Sequence, residues 1–230
     1  MQDLTRILSL APLATAPDRR LISAAPGAAS LSGLDPAVLA SLFLAASDLI
    51  GNYCQRRSVD GAPPTFARQS VRETIVIPAD YRTFRPTRLQ LGLRPLTLSA
   101  ISIDAETIDI ADLYVDVFGG LSWKPQRDRA LWQSGVEIVA DYAAGYVTPL
   151  QAAIPTPPTG PALPADLIRA VEAVAQNMLS QQQRTQFDVA STEETDSDAG
   201  SLVTRYFQAG RVGALPAEAM GLLAPYCESF

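Results

Sequence analysis

The sequence predicts an α+β protein: two long packed α-helices, a small antiparallel β-domain between them in sequence, and an extended C-terminal arm. Three observations predict it. Apolar residues recur at helical spacing from Leu39 to Tyr53 and again from Leu167 to Leu179. Between these stretches, from Phe66 to Tyr146, the apolar period drops to two and turn residues are frequent. Finally, residues 149–163 hold five prolines, a stiff connector expected to carry no regular structure. The expected organisation is an N-terminal arm at 1–33, a core at 34–187, and an acidic loop with a C-terminal docking arm at 188–230. Within the core lie helix 36–57, β-region 66–147, the Pro-rich linker 149–163 and helix 164–187.

The arm is rich in Ala, Pro, Ser and Gly and reads as extended, with one helical turn at most. The first helix opens at Asp35-Pro36. Asp35 can accept from the free amides of the first turn, and proline fits the first helical position. Leu39, Leu42, Phe43, Ala46, Leu49, Ile50 and Tyr53 form its stripe, and Arg56 and Arg57 are expected in the last turn, opposing the helix dipole. The β-region begins with a short strand at Thr74 to Ile77, stopped by Pro78. Leu89, Leu91 and Leu93 alternate with polar or small residues before Pro95. Leu96 to Ile103 reads as a strand whose phase slips near Ala100, the mark of a β-bulge. Tyr114 to Phe118, Gly119-Gly120 and Leu121 to Trp123 read as a hairpin. Val136, Ile138, Ala140 and Tyr142 share one face of the last strand. Pro164 opens the second long helix, whose stripe of Leu167, Ile168, Val171, Val174, Ala175, Met178 and Leu179 is expected to pack on the Leu39–Tyr53 face. A short helix signal follows Leu215-Pro216, and there is no internal repeat.

Composition excludes several classes of function. The net charge of −6 disfavours a general nucleic-acid binder, which needs a basic surface to release counterions. There is no histidine, which removes Ser-His-Asp and Cys-His nucleophile pairs and nearly every common zinc site. Lys124 is the only lysine, the remaining cations being arginine. Cys54 and Cys227 lie far apart in sequence without metal-like spacing and read as cytoplasmic thiols rather than a disulfide. No apolar run approaches a membrane span, the longest being Val38 to Ala46. Ile7 to Ala16 ends in a small-residue pattern like a signal-peptidase site, but it is short, contains Pro12 and follows Asp3 instead of a basic leader.

No residue cluster carries recognisable catalytic chemistry, so neither a catalytic residue nor a cofactor or metal is expected. Asp104, Glu106, Asp109, Asp112 and Asp116 are numerous enough for a hydrolase built on two carboxylates, yet acidic residues in strand-connecting loops are ordinary. The acidic run Glu193, Glu194, Asp196 and Asp198 reads as a solvated loop or a channel lining, without the glycine and terminal glutamate of a calcium loop. Tyr206, Phe207, Leu222, Leu223 and Tyr226 read either as partner anchors or as a cap on the chain's own core. Arg82, Arg85, Arg88, Trp123 and Trp132 are candidates for contact with a neighbouring subunit.

The succession of short motifs resembles the head–tail connector (adaptor) proteins of long-tailed phages and of gene transfer agents. The resemblance spans about residues 35–226. It is carried by the helix after Asp35-Pro36, by Gln69-Ser70-Val71-Arg72-Glu73-Thr74, by Leu93-Arg94-Pro95-Leu96 and by the Tyr114-Val115-Asp116 and Gly120-Leu121 hairpin. Ala140-Asp141-Tyr142-Ala143-Ala144-Gly145-Tyr146, Leu163-Pro164-Ala165-Asp166-Leu167 and the C-terminal Leu215-Pro216 with Leu222-Leu223-Ala224-Pro225-Tyr226 complete it. The resemblance implies a non-enzymatic virion protein, assembled in the bacterial cytoplasm and resident in the neck of the particle. It would form a homo-oligomeric ring, usually a dodecamer, beneath the portal protein, and present a surface to a stopper or tail-completion protein. DNA would pass through without sequence-specific binding, and no membrane is involved. The alternative from another class is a secreted or surface ligand- or carbohydrate-binding β-module, which cleavage after Ala16 and a Cys54–Cys227 disulfide would favour.

Overall fold

In a computed structural model, residues 6–24, 29–77, 87–116, 119–124, 132, 135–190 and 215–227 are described. They form a mixed α and β architecture with antiparallel sheets and four helices. Two apolar cores run through it. One is built by the helices with Leu21, Ile22, Leu31, Phe66 and Ala67, the other by the strands.

The N-terminal segment is not a loose arm. Arg6–Pro12 (β1) pairs antiparallel with Gln69–Val76 (β2) and forms an edge of the main sheet. Beyond it, Leu21 and Ile22 are buried in the helical core, the Leu21 amide donates to Ser47 Oγ at 3.1 Å, and Arg19 pairs with Asp48 at 3.2 Å. The expectation of an extended arm fails because the hydrogen-bonding partner of β1 lies some sixty residues away, where local sequence carries no trace of it.

The first helix, Pro36–Tyr53 (α1), starts as expected, with Asp35 accepting from the Ala37 amide at 2.7 Å. It stops earlier than residue 57. Gln55 takes a φ of +52°, a left-handed conformation that ends the helix, and Arg56 turns away into the interior. Arg56 and Arg57 therefore lie beyond the helix rather than in its last turn. By length and mean hydropathy (18 residues, 1.2) α1 could cross a membrane. Here it packs against α3 (Ala165–Ala190), and its inward face of Leu42, Phe43, Ala46 and Ile50 is buried.

The main sheet has strand order β1-β2-β8-β4-β5, with β4 at Leu96–Ile103, β5 at Glu106–Thr107 and β8 at Glu137–Ala144. Along β8 every second residue from Ile138 to Ala144 is buried, as the alternation predicted. The pairing of β4 with β8 shifts register between Leu98 and Ala100, the bulge expected from the phase slip. The β-region is divided between two sheets. Leu89–Gln90 (β3), Leu113–Val115 (β6) and Gly120–Trp123 (β7) form a second, three-stranded sheet of order β3-β7-β6, which contains the predicted hairpin.

The connector after β8 does carry regular structure: one helical turn, Pro149–Ala152 (α2). Thr148 caps it in a reciprocal arrangement with Gln151, each side chain meeting the other's backbone amide at 3.2 Å. Gln151 Nε2 also donates to the Arg68 carbonyl at 2.6 Å, tying the turn to the segment that leads into β2. The last helix, Ala217–Leu223 (α4), lies against α3. Over residues 215–227 the C-terminal region is thus folded back onto the helical core instead of extending as an arm.

Candidate functional site

The two layers meet where α1 ends, and this junction also receives the C-terminal segment. Arg56 is buried there; its Nε donates to the Thr65 carbonyl at 3.1 Å and its Nη1 to the Arg94 carbonyl at 2.8 Å. Its guanidinium carbon lies 4.5 Å from the centre of the Phe66 ring, a cation–π contact. Phe66 in turn meets Tyr226 edge to face at 6.4 Å, and Tyr226 meets Tyr146 in the same way at 6.4 Å. Burial pushes the phenols of both tyrosines up, and for Tyr226 the nearby Asp166 and Tyr146 add to the effect. Cys54, the residue that caps α1, places its Sγ 2.6 Å from that of Cys227.

Arg68 crosses from this junction to the sheet. Its Nη1 donates to the Gly145 carbonyl at 3.2 Å and its Nη2 to Thr97 Oγ1 at 2.8 Å, while burial pulls its pKa down. Gly145 is required here on two grounds. Its φ is +91°, and a Cβ at this position would sit 2.5 Å from the Ala67 carbonyl oxygen and 2.7 Å from that of Phe66.

Inside the β-layer a carboxylate is sealed from solvent. Glu73 of β2 is fully buried; Tyr142 of β8 donates its hydroxyl to Glu73 Oε2 at 2.5 Å. The Gly92 amide donates to both carboxylate oxygens, at 2.9 and 3.1 Å. A Cβ on Gly92 would fall 3.0 Å from Arg57 Cδ and 3.2 Å from Glu73 Oε1, so a larger residue here would require these side chains to give by a few tenths of an ångström. Burial above all, and then the Glu73 charge and hydrogen bond, push the Tyr142 pKa strongly up, so the phenol stays protonated as the donor. The cluster joins the end of α1, β2, β8 and the 91–93 loop. The contacts described for Glu73 are with this chain's own Tyr142 and Gly92, the arrangement of a structural fastener. Sequence reasoning missed it, although a signal existed: Glu73 falls in phase with the buried Val71 and Ile75 along β2.

The structure distributes the sequence-predicted residues unevenly. Leu223 is fully buried, and Leu222 and Tyr226 are half-buried against the helical core, so within this chain they hold α4 in place. Arg88 forms an ion pair with Asp116 of the hairpin. Trp123 and Trp132 pack together with ring centres 5.1 Å apart, and Trp132 is buried. On the same hairpin Tyr114 and Val115 are exposed. Arg82, Arg85, Glu193, Glu194, Asp196, Asp198, Tyr206 and Phe207 lie outside the described residues.

The loop carboxylates serve the backbone. Asp104 accepts from the Glu137 amide, Asp109 from the Ala111 amide and Asp116 from the Gly120 amide, each at 2.9 Å. Among the described residues no group of three or more acidic or cysteine side chains is placed to hold a metal ion.

No protein-family model matches the chain, and no curated protein matches it. Among solved structures, a chain in the virion of the native gene transfer agent particle has the same overall fold, with a TM-score of 0.50 and 17% identity over 96% of this chain and 96% of that chain. A chain in the neck of the empty gene transfer agent particle, computed with C6 symmetry, aligns with a TM-score of 0.49 and 18% identity over 97% of each. At this identity the likeness is one of fold.

Proposed function

We propose that the chain is a structural, non-enzymatic subunit of the neck of a tailed particle, a phage or gene transfer agent, where copies form an adaptor ring between the capsid portal and the tail or stopper. The observation that supports this reading most is the end-to-end fold likeness to a chain of a gene transfer agent virion, which covers 96% of both chains. Three features accord with it. The Glu73 and Arg68 networks spend their polar groups on internal fastening. The exposed Tyr114 and Val115 on the hairpin, with Val38 and Tyr53 on α1, offer apolar surface for neighbouring copies. A net charge of −6 would let a DNA duplex slide through a ring without sticking.

On this reading the neighbouring copies contact one another through the hairpin that carries Trp123 and through Arg88, which pairs with Asp116 of that hairpin, and Arg82 and Arg85 are further contact residues. The acidic run Glu193, Glu194, Asp196 and Asp198 faces the channel, and Tyr206 and Phe207 meet the portal. The exported-module alternative loses ground in the sheet: Arg6–Pro12 pairs with β2 and the Leu13 amide donates to the Ser70 carbonyl at 2.9 Å. Residues 6–13 are therefore part of the folded domain rather than a segment to be cut away. The test is to purify particles from a producing strain and label them with an antibody to this chain. Labelling confined to the head–tail junction is the expected result; particles that lack the chain overturn the proposal.

A further inference from the structure

We infer that Cys54 and Cys227 are a disulfide-forming pair that staples the C-terminal helix to the end of α1 in an oxidising medium. The two thiols are far apart in sequence yet in contact, with Sγ atoms 2.6 Å apart. Each backbone is fixed independently of the other. The Cys54 amide donates to the Ile50 carbonyl at 3.0 Å, and that of Cys227 to the Leu223 carbonyl at 3.1 Å. Tyr226, next to Cys227, is gripped between the rings of Phe66 and Tyr146. The two sulfurs thus already lie within reach of each other on backbones held by their own hydrogen bonds, as a disulfide requires.

The two sulfurs differ in access. Cys54 is fully buried, whereas Cys227 is partly exposed, which sets the order of events. The oxidant is a low-molecular-weight disulfide such as glutathione disulfide. The Cys227 thiolate attacks one of its sulfurs, forms a mixed disulfide and releases one glutathione thiolate. Cys54 then loses its proton and attacks the Cys227 sulfur, expelling the second glutathione thiolate. The two protein thiols give up two electrons and two protons, and one glutathione disulfide becomes two glutathione thiols.

The staple has a structural purpose. A seven-residue helix such as α4 cannot persist by itself and depends on Leu215, Ala219 and Leu223 being buried. Cross-linked, the segment cannot detach from the junction at Phe66 without breaking a covalent bond. The pair would stay reduced in a cytosol and close outside it. This inference rests on the geometry of the junction; a bond that closes only after the protein leaves the cytosol is compatible with the neck reading and does not by itself favour an exported module.

The test uses the reduced full-length chain, incubated with glutathione disulfide at about pH 8, near the ordinary thiol pKa, then quenched by alkylation and weighed intact. The expected product has lost two hydrogens, retains no glutathione, takes up no alkylating agent and runs as a monomer on a non-reducing gel. A Cys54→Ser variant is expected to stop at one glutathione on Cys227. Amide exchange across residues 217–227 is expected to slow by about tenfold or more on oxidation of the native chain. A native chain that stays reduced, stops at the mixed disulfide or cross-links to a second copy overturns the pairing. Unchanged exchange over 217–227 overturns the stapling.

Discussion

Replacing Tyr142 with phenylalanine removes one hydroxyl from the centre of the sheet and leaves the ring in place. In the native protein that hydroxyl donates to the fully buried Glu73 carboxylate at 2.5 Å, alongside the bonds from the Gly92 amide. A hydrogen bond to a charged acceptor contributes roughly 1.5–3 kcal/mol, and a buried acceptor that loses its donor has no water to turn to. The expected loss is therefore about 2 kcal/mol at neutral pH. In a chain of this size it lowers the melting midpoint by about 4–8 °C, at ~2–4 °C per kcal/mol. The same substitution has a pH signature. Because the folded pKa of Tyr142 lies above its ordinary value of 10.0, its contribution is fully present below pH 10 and is lost as pH rises beyond it. There the unfolded chain releases the phenolic proton while the folded chain keeps it, so stability falls by about 1.4 kcal/mol per pH unit for this one group. The assay is urea denaturation of native and Tyr142→Phe protein at neutral pH and at steps between pH 9.5 and about pH 11, where tyrosines titrate. Tyr146 and Tyr226 also steepen the alkaline limb, so the variant should lose only the Tyr142 share of the slope. Equal midpoints at neutral pH, or an unchanged alkaline slope, refute the view that this hydroxyl fastens the two strands.

Gly145→Ala combines a left-handed backbone with a Cβ set against two carbonyl oxygens, and is expected to cost on the order of 3 kcal/mol, read as a lower urea midpoint. Leu223→Ala empties a fully buried site under α4 and should cost about 2–5 kcal/mol, with amide protection across 217–227 lost before that of the sheet. Asp35→Ala removes the cap bond to the Ala37 amide and should cost about 1 kcal/mol, seen as early fraying of α1 by hydrogen exchange.

What the sequence disclosed and what it concealed divide by distance along the chain. The start of α1 was legible because Asp35 and Pro36 act on amides within one turn. Its end was not, because Arg56 is drawn inward by the carbonyls of Thr65 and Arg94, partners beyond any local window. The alternation along β8 and the bulge in β4 are local patterns and were readable. The division into two sheets and the capture of Arg6–Pro12 by β2 depend on pairings between remote segments, which periodicity does not encode. Of the candidate site, the apolar character of Leu222, Leu223 and Tyr226 was plain, but an apolar stripe reads alike whether it faces a partner or its own core. Cys54 and Cys227 could be named from the sequence as a possible pair, but their 173-residue separation read as two separate thiols, since only the folding of α4 onto α3 brings the ends together.

The central claim is that copies of this chain form a ring on a portal. Co-sedimentation with the portal protein of the same particle, followed by negative-stain imaging, tests it most directly. The account predicts co-sedimentation in portal-matched stoichiometry and an added ring of density below the portal. A chain that remains a monodisperse monomer and leaves the portal bare contradicts it.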